Sequence, residues 1–140
     1  MSQDIQNSKC VIVVNGDLPA GLTANAASVV SLTLGRSVPE LIGPDVKDAD
    51  GDAHLGITYI PVPILKAPAE RVAEIHRLAT ADPEAVVVGF SDLAQSCRTY
   101  DEYIERMSQA APDSLTYSAI GLFGPRKQLN KWTGSLALLR

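Results

Sequence analysis

A continuous apolar run near the start of the chain constrains the fold more than any other feature of the sequence. The run is VIVV over residues 11–14, and the turn-forming sequence NGD follows at 15–17. Successive side chains of a strand point to opposite faces of a sheet, so an unbroken β-branched run predicts a strand that is buried on both faces. We therefore expect a central parallel strand over 9–15, with helices on both sides of the sheet.

Helical patterns alternate with the strands. The first helix is expected to begin at Gly21 or Thr23, either of which could cap it, and to stop at Gly35. A proline is well placed to begin a second helix over 68–80, which has one apolar stripe and one charged side. The other predicted helices are 100–110 and 125–132.

Apolar segments between these helices are predicted to be strands: 41–43, 55–65, 85–90, 115–123 and 136–139. Strands that alternate with helices favour an α/β fold, with a mixed central sheet and helices on both faces. A length of 140 residues is usual for one domain. We therefore expect a single α/β domain over 1–140, with a flexible polar N-terminal tail over 1–8.

The predicted strand over 55–65 contains Pro61 and Pro63, which restrict a strand to the edge of a sheet or to a bulge. An aliphatic edge strand, here 57–65, exposes unpaired backbone groups and apolar surface that favour cover by another chain. The sequence therefore predicts a homodimer.

Charge and composition limit the partners that are expected. The longest apolar runs are too short to span a bilayer, so no membrane association is predicted. Cys10 and Cys97 lie far apart without metal-ligand spacing, which favours reduced thiols in the cytoplasm. A net charge of −4 argues against nucleic acid as a partner, although the acid-free segment 114–140 leaves a local basic face open as an alternative.

The acidic segment 48–52 resembles a calcium-binding loop, because its alternating carboxylates could converge on one cation. Such a loop needs glycine at its sixth position and an acidic residue at its twelfth, where this chain has Ala53 and Tyr59. We expect a solvated hairpin turn here and no metal site. His54 and His76 have no partner at ligand spacing, and His76 is expected to be a partly covered surface residue.

Two clusters of short polar side chains follow the predicted strands 9–15 and 85–90. They are Asn15, Asp17 and Asn25 after the first strand, and Ser91, Asp92 and Gln95 after the second. Open α/β sheets bind ligands beyond the carboxyl ends of their strands, so the clusters would form a site for a small polar ligand if the two strands were neighbours. Helix and turn capping is the alternative role for these side chains.

The sequence assigns no catalytic group and predicts no cofactor. Asp17 and Asp92 could form an acid/base pair, which depends on a separation and a burial that the sequence does not define. Cys97, next to Arg98, could be a nucleophile, but no histidine lies near it in the sequence.

The two ends of the chain resemble the second-type peptidyl-tRNA hydrolases. The segment VIVVNGDLPAG (11–21) and the alanines of the following helix resemble the opening of that family. AIGLFGP (119–125) and LNKWTGSLALL (129–139) resemble its closing strand, helix and strand. The resemblance implies that the chain has the fold of those hydrolases.

A closer resemblance is to the family called domain of unknown function two thousand, which is grouped with those hydrolases by fold. The segments that carry it are NGDLPAGLTAN (15–25), GPDV (43–46), IPVPIL (60–65) and FSDLAQ (90–95). That family has no established activity, so the resemblance implies a fold without implying a reaction.

The chain departs from the hydrolases where their first helix carries lysines, a glutamine and a histidine. The matching positions are Leu22, Ala24, Ser28 and Ser31. Leucine and alanine cannot bind phosphate or polarise an ester carbonyl as a lysine ammonium can. The predicted function is therefore a small-ligand binding or regulatory protein. The alternatives are an enzyme of unknown reaction that uses Asp17 and Asp92, or a divergent peptidyl-tRNA hydrolase.

Overall fold

The computed structural model describes residues 5–140, in which seven strands and five α-helices are found. The strands are β1 (Ser8–Asn15), β2 (Val46–Lys47), β3 (Ala53–His54), β4 (Ile64–Ala67), β5 (Val86–Ser91), β6 (Tyr117–Pro125) and β7 (Ala137–Leu138). The helices are α1 (Ala20–Ser37), α2 (Ala69–Thr80), α3 (Asp92–Ser96), α4 (Tyr100–Ser108) and α5 (Arg126–Thr133). Short 3₁₀ turns lie at Pro39–Leu41 and Pro112–Ser114.

Five of the strands form one mixed sheet in the order β5-β6-β1-β4-β7. β1 and β4 are parallel, whereas β6 is antiparallel to both of its neighbours and β7 is antiparallel to β4. β2 and β3 form a separate hairpin. The predicted α/β fold with a mixed central sheet is therefore confirmed.

β1 lies in the middle of the sheet, as its sequence predicted. Ile12, Val13 and Val14 are each 0% exposed. Ile12 and Val14 lie in the core beneath α1, whereas Val11 and Val13 lie in the core beneath α2 and α5. Trp132 packs α5 onto the second of these faces. The unbroken apolar run of β1 thus follows from two helix layers, one on each side of the sheet.

α2 confirms the helix predicted over 68–80, since it begins directly after Pro68 and ends at Thr80. Its apolar stripe is buried against the sheet through Val72, Ile75 and Ala79.

None of the helices in residues 5–140 is both long enough and apolar enough to cross a membrane.

The predicted start of α1 is wrong. The helix begins at Ala20, directly after Pro19, so Gly21 and Thr23 lie inside it and do not cap it. Proline has a fixed φ that suits the start of a helix and lacks the N–H that would be left unpaired there. The Thr23 hydroxyl instead donates a hydrogen bond of 2.9 Å to the Ala20 carbonyl oxygen.

The predicted end of α1 is also wrong, because the helix continues through Gly35 to Ser37. Leu34 and Val38, on either side of this glycine, are both buried in the core. Their packing outweighs the low helix propensity of a single glycine, which costs about 1 kcal/mol relative to alanine. Tertiary contacts therefore determine where the helix ends.

The long edge strand predicted over 55–65 is wrong. Only Ile64–Ala67 forms a strand, and β4 lies between β1 and β7 and not at an edge. Pro61 and Pro63 precede β4, so neither proline removes a donor from its ladder. The edge is taken by β7, which comes from the other end of the chain and covers the outer side of β4.

The apolar residues before β4 are nevertheless exposed. Leu55 and Ile57 are 83% and 80% exposed, and they lie between the β2–β3 hairpin and β4. Exposed apolar residues that lie close together are a feature of interaction surfaces. The homodimer therefore remains a prediction, although the edge strand from which it was argued is absent from this segment.

The acidic segment between β2 and β3 forms the predicted hairpin turn. Asp48 Oδ1 accepts hydrogen bonds from the backbone N–H groups of Asp50 (2.9 Å) and Asp52 (3.0 Å). Gly51 has a φ of 86°, a left-handed conformation that favours glycine. His54 Nε2 lies 2.8 Å from Asp48 Oδ2, and this contact is the main cause that lowers the pKa of Asp48.

Residues 5–8 belong to the segment expected to be a flexible tail, yet they are held against the sheet. Ile5 is 2% exposed and lies in the core beneath α1. The Arg126 backbone N–H donates to the Asn7 carbonyl oxygen at 3.1 Å, and its guanidinium donates to the Gln6 carbonyl oxygen at 3.0 Å. The part of the expected tail over 1–4 lies outside the described residues.

Adding one methyl group to two different glycines should have opposite effects on stability. A Cβ on Gly121 would lie 2.7 Å from Leu34 Cδ1 between β6 and α1, whereas a Cβ on Gly35 would meet no atom within 4 Å. We expect Gly121→Ala to lower the free energy of unfolding by about 1–3 kcal/mol through overpacking. Gly35→Ala should raise it by about 0.5–1 kcal/mol, because alanine favours a helix interior. Urea denaturation measures both changes, and a less stable Gly35→Ala variant would contradict the position of Gly35 inside α1.

Candidate functional site

The polar clusters that follow β1 and β5 lie at the same edge of the central sheet. Both strands are antiparallel to β6, so they run in the same direction and end beside the start of β6. The predicted site required β1 and β5 to be neighbouring strands. They are not neighbours, because β6 lies between them. The clusters can therefore meet only through the start of β6 or through the helices that follow each strand.

Gln95 joins the two clusters. Its Nε2 donates hydrogen bonds to the Leu22 carbonyl oxygen (3.1 Å) and to Asn25 Oδ1 (3.2 Å), both near the start of α1. Its Oε1 lies 2.7 Å from Ser118 Oγ on β6. One amide side chain thus holds α3 to α1 and to the sheet at the same time.

Asp92 completes this polar network. Its Oδ2 accepts a hydrogen bond from Thr116 Oγ1, and its Oδ1 lies 3.1 Å from Ser118 Oγ. The Ser118 hydroxyl has one proton, which it can donate to Asp92 or to Gln95 but not to both at once. Because both carboxylate oxygens of Asp92 lie against hydroxyl groups, this side chain anchors α3 to the start of β6.

The remaining residues of the two clusters have local contacts. Asn15 Oδ1 accepts a hydrogen bond of 3.0 Å from the Asp17 backbone N–H, which forms a turn after β1. Ser91 Oγ accepts one of 3.1 Å from the Ala94 N–H and caps α3. The Asp17 carboxylate is exposed and makes no hydrogen bond or ion pair within residues 5–140. No contact between described residues joins Asp17 to Asp92.

Thr116 and Ser118 belong to the network, although sequence reasoning did not indicate them. A bulge at the end of β5 shifts its register with β6, so the pairing passes over Ser118. Bulges change the direction of side chains, and here Ser118 turns toward α3 while Tyr117 lies in the core beneath α2. The only sequence signal that could have indicated them is the presence of two hydroxyl residues just before the apolar run 119–123.

A cavity of ≈ 390 Å³ lies between α1, β5 and the segment that contains α3 and α4. Its apolar lining includes Val29 of α1 with Val88 and Phe90 of β5. The polar and aromatic lining consists of Thr33, Cys97, Arg98, Thr99, Tyr100 and Tyr103. Asn25 lies one helical turn before Val29, so the Gln95–Asn25 hydrogen bond lies at one end of this cavity.

Arg98 is a basic residue in the lining of this cavity. Its backbone N–H donates to Glu102 Oε1 at 3.0 Å, whereas its exposed guanidinium makes no hydrogen bond or ion pair with any residue in 5–140. The neighbouring Cys97 Sγ lies 3.2 Å from the Leu93 carbonyl oxygen and 3.8 Å from a guanidinium nitrogen of Arg106. No histidine lines this cavity in the described part of the chain, so Cys97 has no imidazole there to activate it.

The opposite face of the sheet carries a larger open groove of ≈ 1010 Å³, between α2 and the segment that leads into β6. In its lining His76 stacks on Tyr117, with ring centroids 4.3 Å apart and planes inclined by 25°. Gly89 of β5 makes room for these rings, because a Cβ there would lie 2.7 Å from Tyr117 Cε1 and 3.1 Å from His76 Nε2. His76 is half-buried, which agrees with the sequence prediction.

Burial changes the ionisation of this aromatic pair. It lowers the pKa of His76, and together with the nearby Tyr103 it raises the pKa of Tyr117. Both rings are therefore neutral at neutral pH.

Within residues 5–140 no group of three His, Cys, Asp or Glu side chains is placed to hold a metal ion.

The fold and the site define a small mixed α/β protein with a ligand-sized cavity beside β5, an edge strand of the sheet. A solved structure described as a protein of unknown function from Agrobacterium tumefaciens is similar to this chain, with a TM-score of 0.84. The two are 17% identical, over 94% of this chain and 97% of that one, so the likeness concerns the fold alone. No curated protein is significantly similar to this chain in sequence. The family described as "Protein of unknown function (DUF2000)" matches residues 8–140, and the chain belongs to this family.

Replacing Asp92 or Asp17 with alanine should change the free energy of unfolding by different amounts, because of these two carboxylates only that of Asp92 is hydrogen-bonded within residues 5–140. Asp92→Ala removes the acceptor for two hydroxyl groups, so the free energy of unfolding should fall by about 1 kcal/mol. Asp17→Ala removes an exposed carboxylate with no partner among the described residues, so the change should stay within about 0.5 kcal/mol. Urea denaturation measures both variants. Equal losses of stability would show that Asp92 does not anchor α3.

The burial of His76 should make the fold less stable in mild acid. Its pKa is lower in the folded chain than the value of 6.5 expected when it is unfolded. As the pH falls below about 6.5, the unfolded state binds the proton first, so stability falls until both states are protonated. Urea denaturation of the parent chain and of His76→Gln from about pH 7.5 to about pH 5 isolates this contribution. The parent should lose more stability than the variant, and a difference between them that is independent of pH would contradict the effect.

Proposed function

We propose that this chain binds a small amphipathic anion in the ≈ 390 Å³ cavity between α1, β5 and the α3–α4 segment. The observation that carries the proposal is that Arg98 lines the cavity and that its guanidinium has no partner in residues 5–140. Guanidinium groups bind carboxylates and phosphates through two parallel charge-assisted hydrogen bonds. The ligand would therefore have one carboxylate-like or phosphate-like group.

The remaining lining suits an apolar body on the same ligand. A volume of ≈ 390 Å³ falls within the range of about 300–1,000 Å³ that is usual for ligand pockets. Val29, Val88 and Phe90 supply aliphatic and aromatic surface. Tyr100 and Tyr103 add two rings in edge-to-face contact, with centroids 5.3 Å apart. A ring or a short branched chain would fill this space.

The polar clusters at the strand ends support this cavity from one end. Gln95 holds α3 against α1 through Asn25, and Asp92 holds α3 to the start of β6. Because Arg98 lies two residues after the end of α3, these hydrogen bonds limit where its guanidinium can reach. In this proposal Asn25, Gln95 and Asp92 are positioning residues, while Asn15 and Asp17 contribute a turn outside the cavity lining.

We also propose that the fold is that of the second-type peptidyl-tRNA hydrolases, on the sequence resemblance at both ends of the chain. The helix that would carry the hydrolase's charged groups is α1. Of the matching residues, Ser28 donates a hydrogen bond of 2.9 Å to the Ala24 carbonyl oxygen, and Leu22 is an exposed apolar side chain. Leu22 has no polar group, and the Ser28 proton is already donated within the helix, so neither side chain replaces the charge of a lysine; binding without hydrolysis is the function that we propose.

The proposal extends to the location and assembly of the protein. Cys10 and Cys97 are both free thiols, which favours a reducing compartment such as the cytoplasm. The exposed Leu55 and Ile57 favour contact with a second copy of the chain. The enzymatic alternative gains no support from Asp92, whose two oxygens both lie against hydroxyl groups.

Anilinonaphthalene sulfonate, a fluorescent anion with an apolar body, tests the proposed cavity. We expect the parent chain to bind it and Arg98→Gln to bind it about tenfold more weakly, because a charge-assisted hydrogen bond is lost. Arg36→Gln removes an exposed arginine of α1 that is outside the cavity, so it is the matched control and should bind like the parent. Thr33→Trp should also weaken binding, because the larger side chain occupies the cavity.

Native mass spectrometry of the purified protein gives an independent measurement. An anion that accompanies the parent chain and the Arg36→Gln variant, but not Arg98→Gln, would support the proposal. Equal affinity of the parent and Arg98→Gln for the fluorescent anion would show that the cavity does not use this guanidinium, and the proposed function would then be wrong.

A further inference from the structure

β5 is an outer strand of the central sheet, and its outer side is unpaired in the structure of residues 5–140. It pairs only with β6, and no backbone group of residues 86–90 bonds to any other described part of the chain. In an antiparallel ladder every second residue directs its N–H and C=O away from the neighbouring strand. β5 therefore presents a row of unpaired donors and acceptors along its outer side.

The two edges of the sheet differ in their protection against another strand. β7 has only 2 residues, and a very short edge offers little to pair with. β5 has 6 residues, VVVGFS, without the charged residue or proline that commonly blocks an edge. Gly89 in its middle is exposed and has no side chain, so a second backbone can approach closely. Of these two edges, β5 is the one that a further strand can extend.

The large groove on the α2 face borders this edge. Gly89 lies against the rings of His76 and Tyr117, and both rings line the groove. The side chains of an added strand would alternate between the two faces of the sheet. Every second side chain would therefore lie over the groove, and the others would lie on the α1 face beside the half-buried Val86 and Val88.

The charges of the groove favour basic side chains. Its lining has three acidic residues, Glu70, Glu74 and Asp113, and two basic residues, Arg71 and Arg77. Arg71 is already paired with Glu74. Glu70, Asp113 and Arg77 make no ion pair with any described residue, so one negative charge is left in excess in the lining. The net charge of −4 for the whole chain adds a general attraction for a basic partner.

We infer that the β5 edge binds an extended peptide segment of another protein in which basic and apolar side chains alternate. Backbone hydrogen bonds to β5 would hold the segment, and its side chains would be selected by an acidic groove on one face and an apolar surface on the other. A second copy of this chain fits less well, because its own β5, VVVGFS, has no basic side chain to meet the acidic groove. The inference rests on the unpaired edge and the acidic groove and not on the proposed anion, although Val88 and Gly89 of β5 also line the anion cavity on the α1 face.

A capped hexapeptide of alternating lysine and valine is the probe for this edge. It is compared, by isothermal titration calorimetry, with one version methylated on every lysine backbone nitrogen and another methylated on every valine backbone nitrogen. In an added strand only one of these two sets of N–H groups faces β5. One version should therefore bind at least tenfold more weakly while the other binds like the unmodified peptide. Equal affinities of the two methylated versions would overturn the inference.

Hydrogen exchange measured by NMR locates the bound peptide on the chain. Saturating peptide should slow the exchange of alternate amides within Val86–Ser91 at least tenfold. Unchanged exchange of these amides while the peptide binds would overturn the assignment to β5. If the peptide-free chain sediments as a dimer in which these amides are already protected, a second copy fills the edge and the inference is wrong.

The role of the groove is tested by removing its two unpaired carboxylates. The double variant Glu70→Gln with Asp113→Asn should bind the peptide about fivefold more weakly, since two attractive charges are lost. Asp50→Asn with Asp52→Asn removes the same charge from the β2–β3 turn and should bind like the parent. Equal weakening by both pairs would show that only the net charge matters and that the groove does not select the side chains.

Discussion

The burial of β1 on both faces is the constraint on which the rest of the structure depends. Its aliphatic side chains leave solvent only if helices cover both sides of the sheet, and they do so beneath α1 on one face and beneath α2 and α5 on the other. Its own edges are closed as well, by β6 on one side and by β4 on the other. The close approach of α1 to β6 depends in turn on Gly121, where any side chain would meet Leu34.

The insertion of β6 between β1 and β5 shapes the end of the sheet. It separates two polar clusters that would otherwise be adjacent, and the hydroxyl groups of Ser118 on β6 and of Thr116, just before it, lie between them. The bulge at Ser118 is what makes this possible, because it turns one side chain to the network and the next, Tyr117, to the opposite face. A local irregularity thus connects the start of α3 to the aromatic pair beneath α2.

The two faces beside β5 differ in chemistry. On the α1 face the cavity lining combines apolar residues with polar and aromatic ones, among them Arg98, whose guanidinium is unpaired in residues 5–140. On the α2 face the groove carries the neutral His76–Tyr117 pair and an excess of carboxylates. Gly89 lies between them in the edge strand and is exposed, so one short strand supports two surfaces that suit ligands of opposite charge.

The sequence by itself determined the elements whose pattern is local. β1 and α2 follow from side-chain periodicity, because a continuous β-branched run or a stripe at helical spacing needs no knowledge of a distant partner. The polar residues after β1 and β5, and the turn at Asp48, could also be predicted, since capping and turn formation are short-range.

Only the tertiary structure decided which strands are neighbours: β6 lies between β1 and β5, and β7, not β4, forms the edge. It also decided that α1 continues past Gly35, that Ser118 joins the network and that Arg98 lines a cavity. Each of these depends on contacts between segments far apart in the chain, and such contacts leave no periodicity in the sequence.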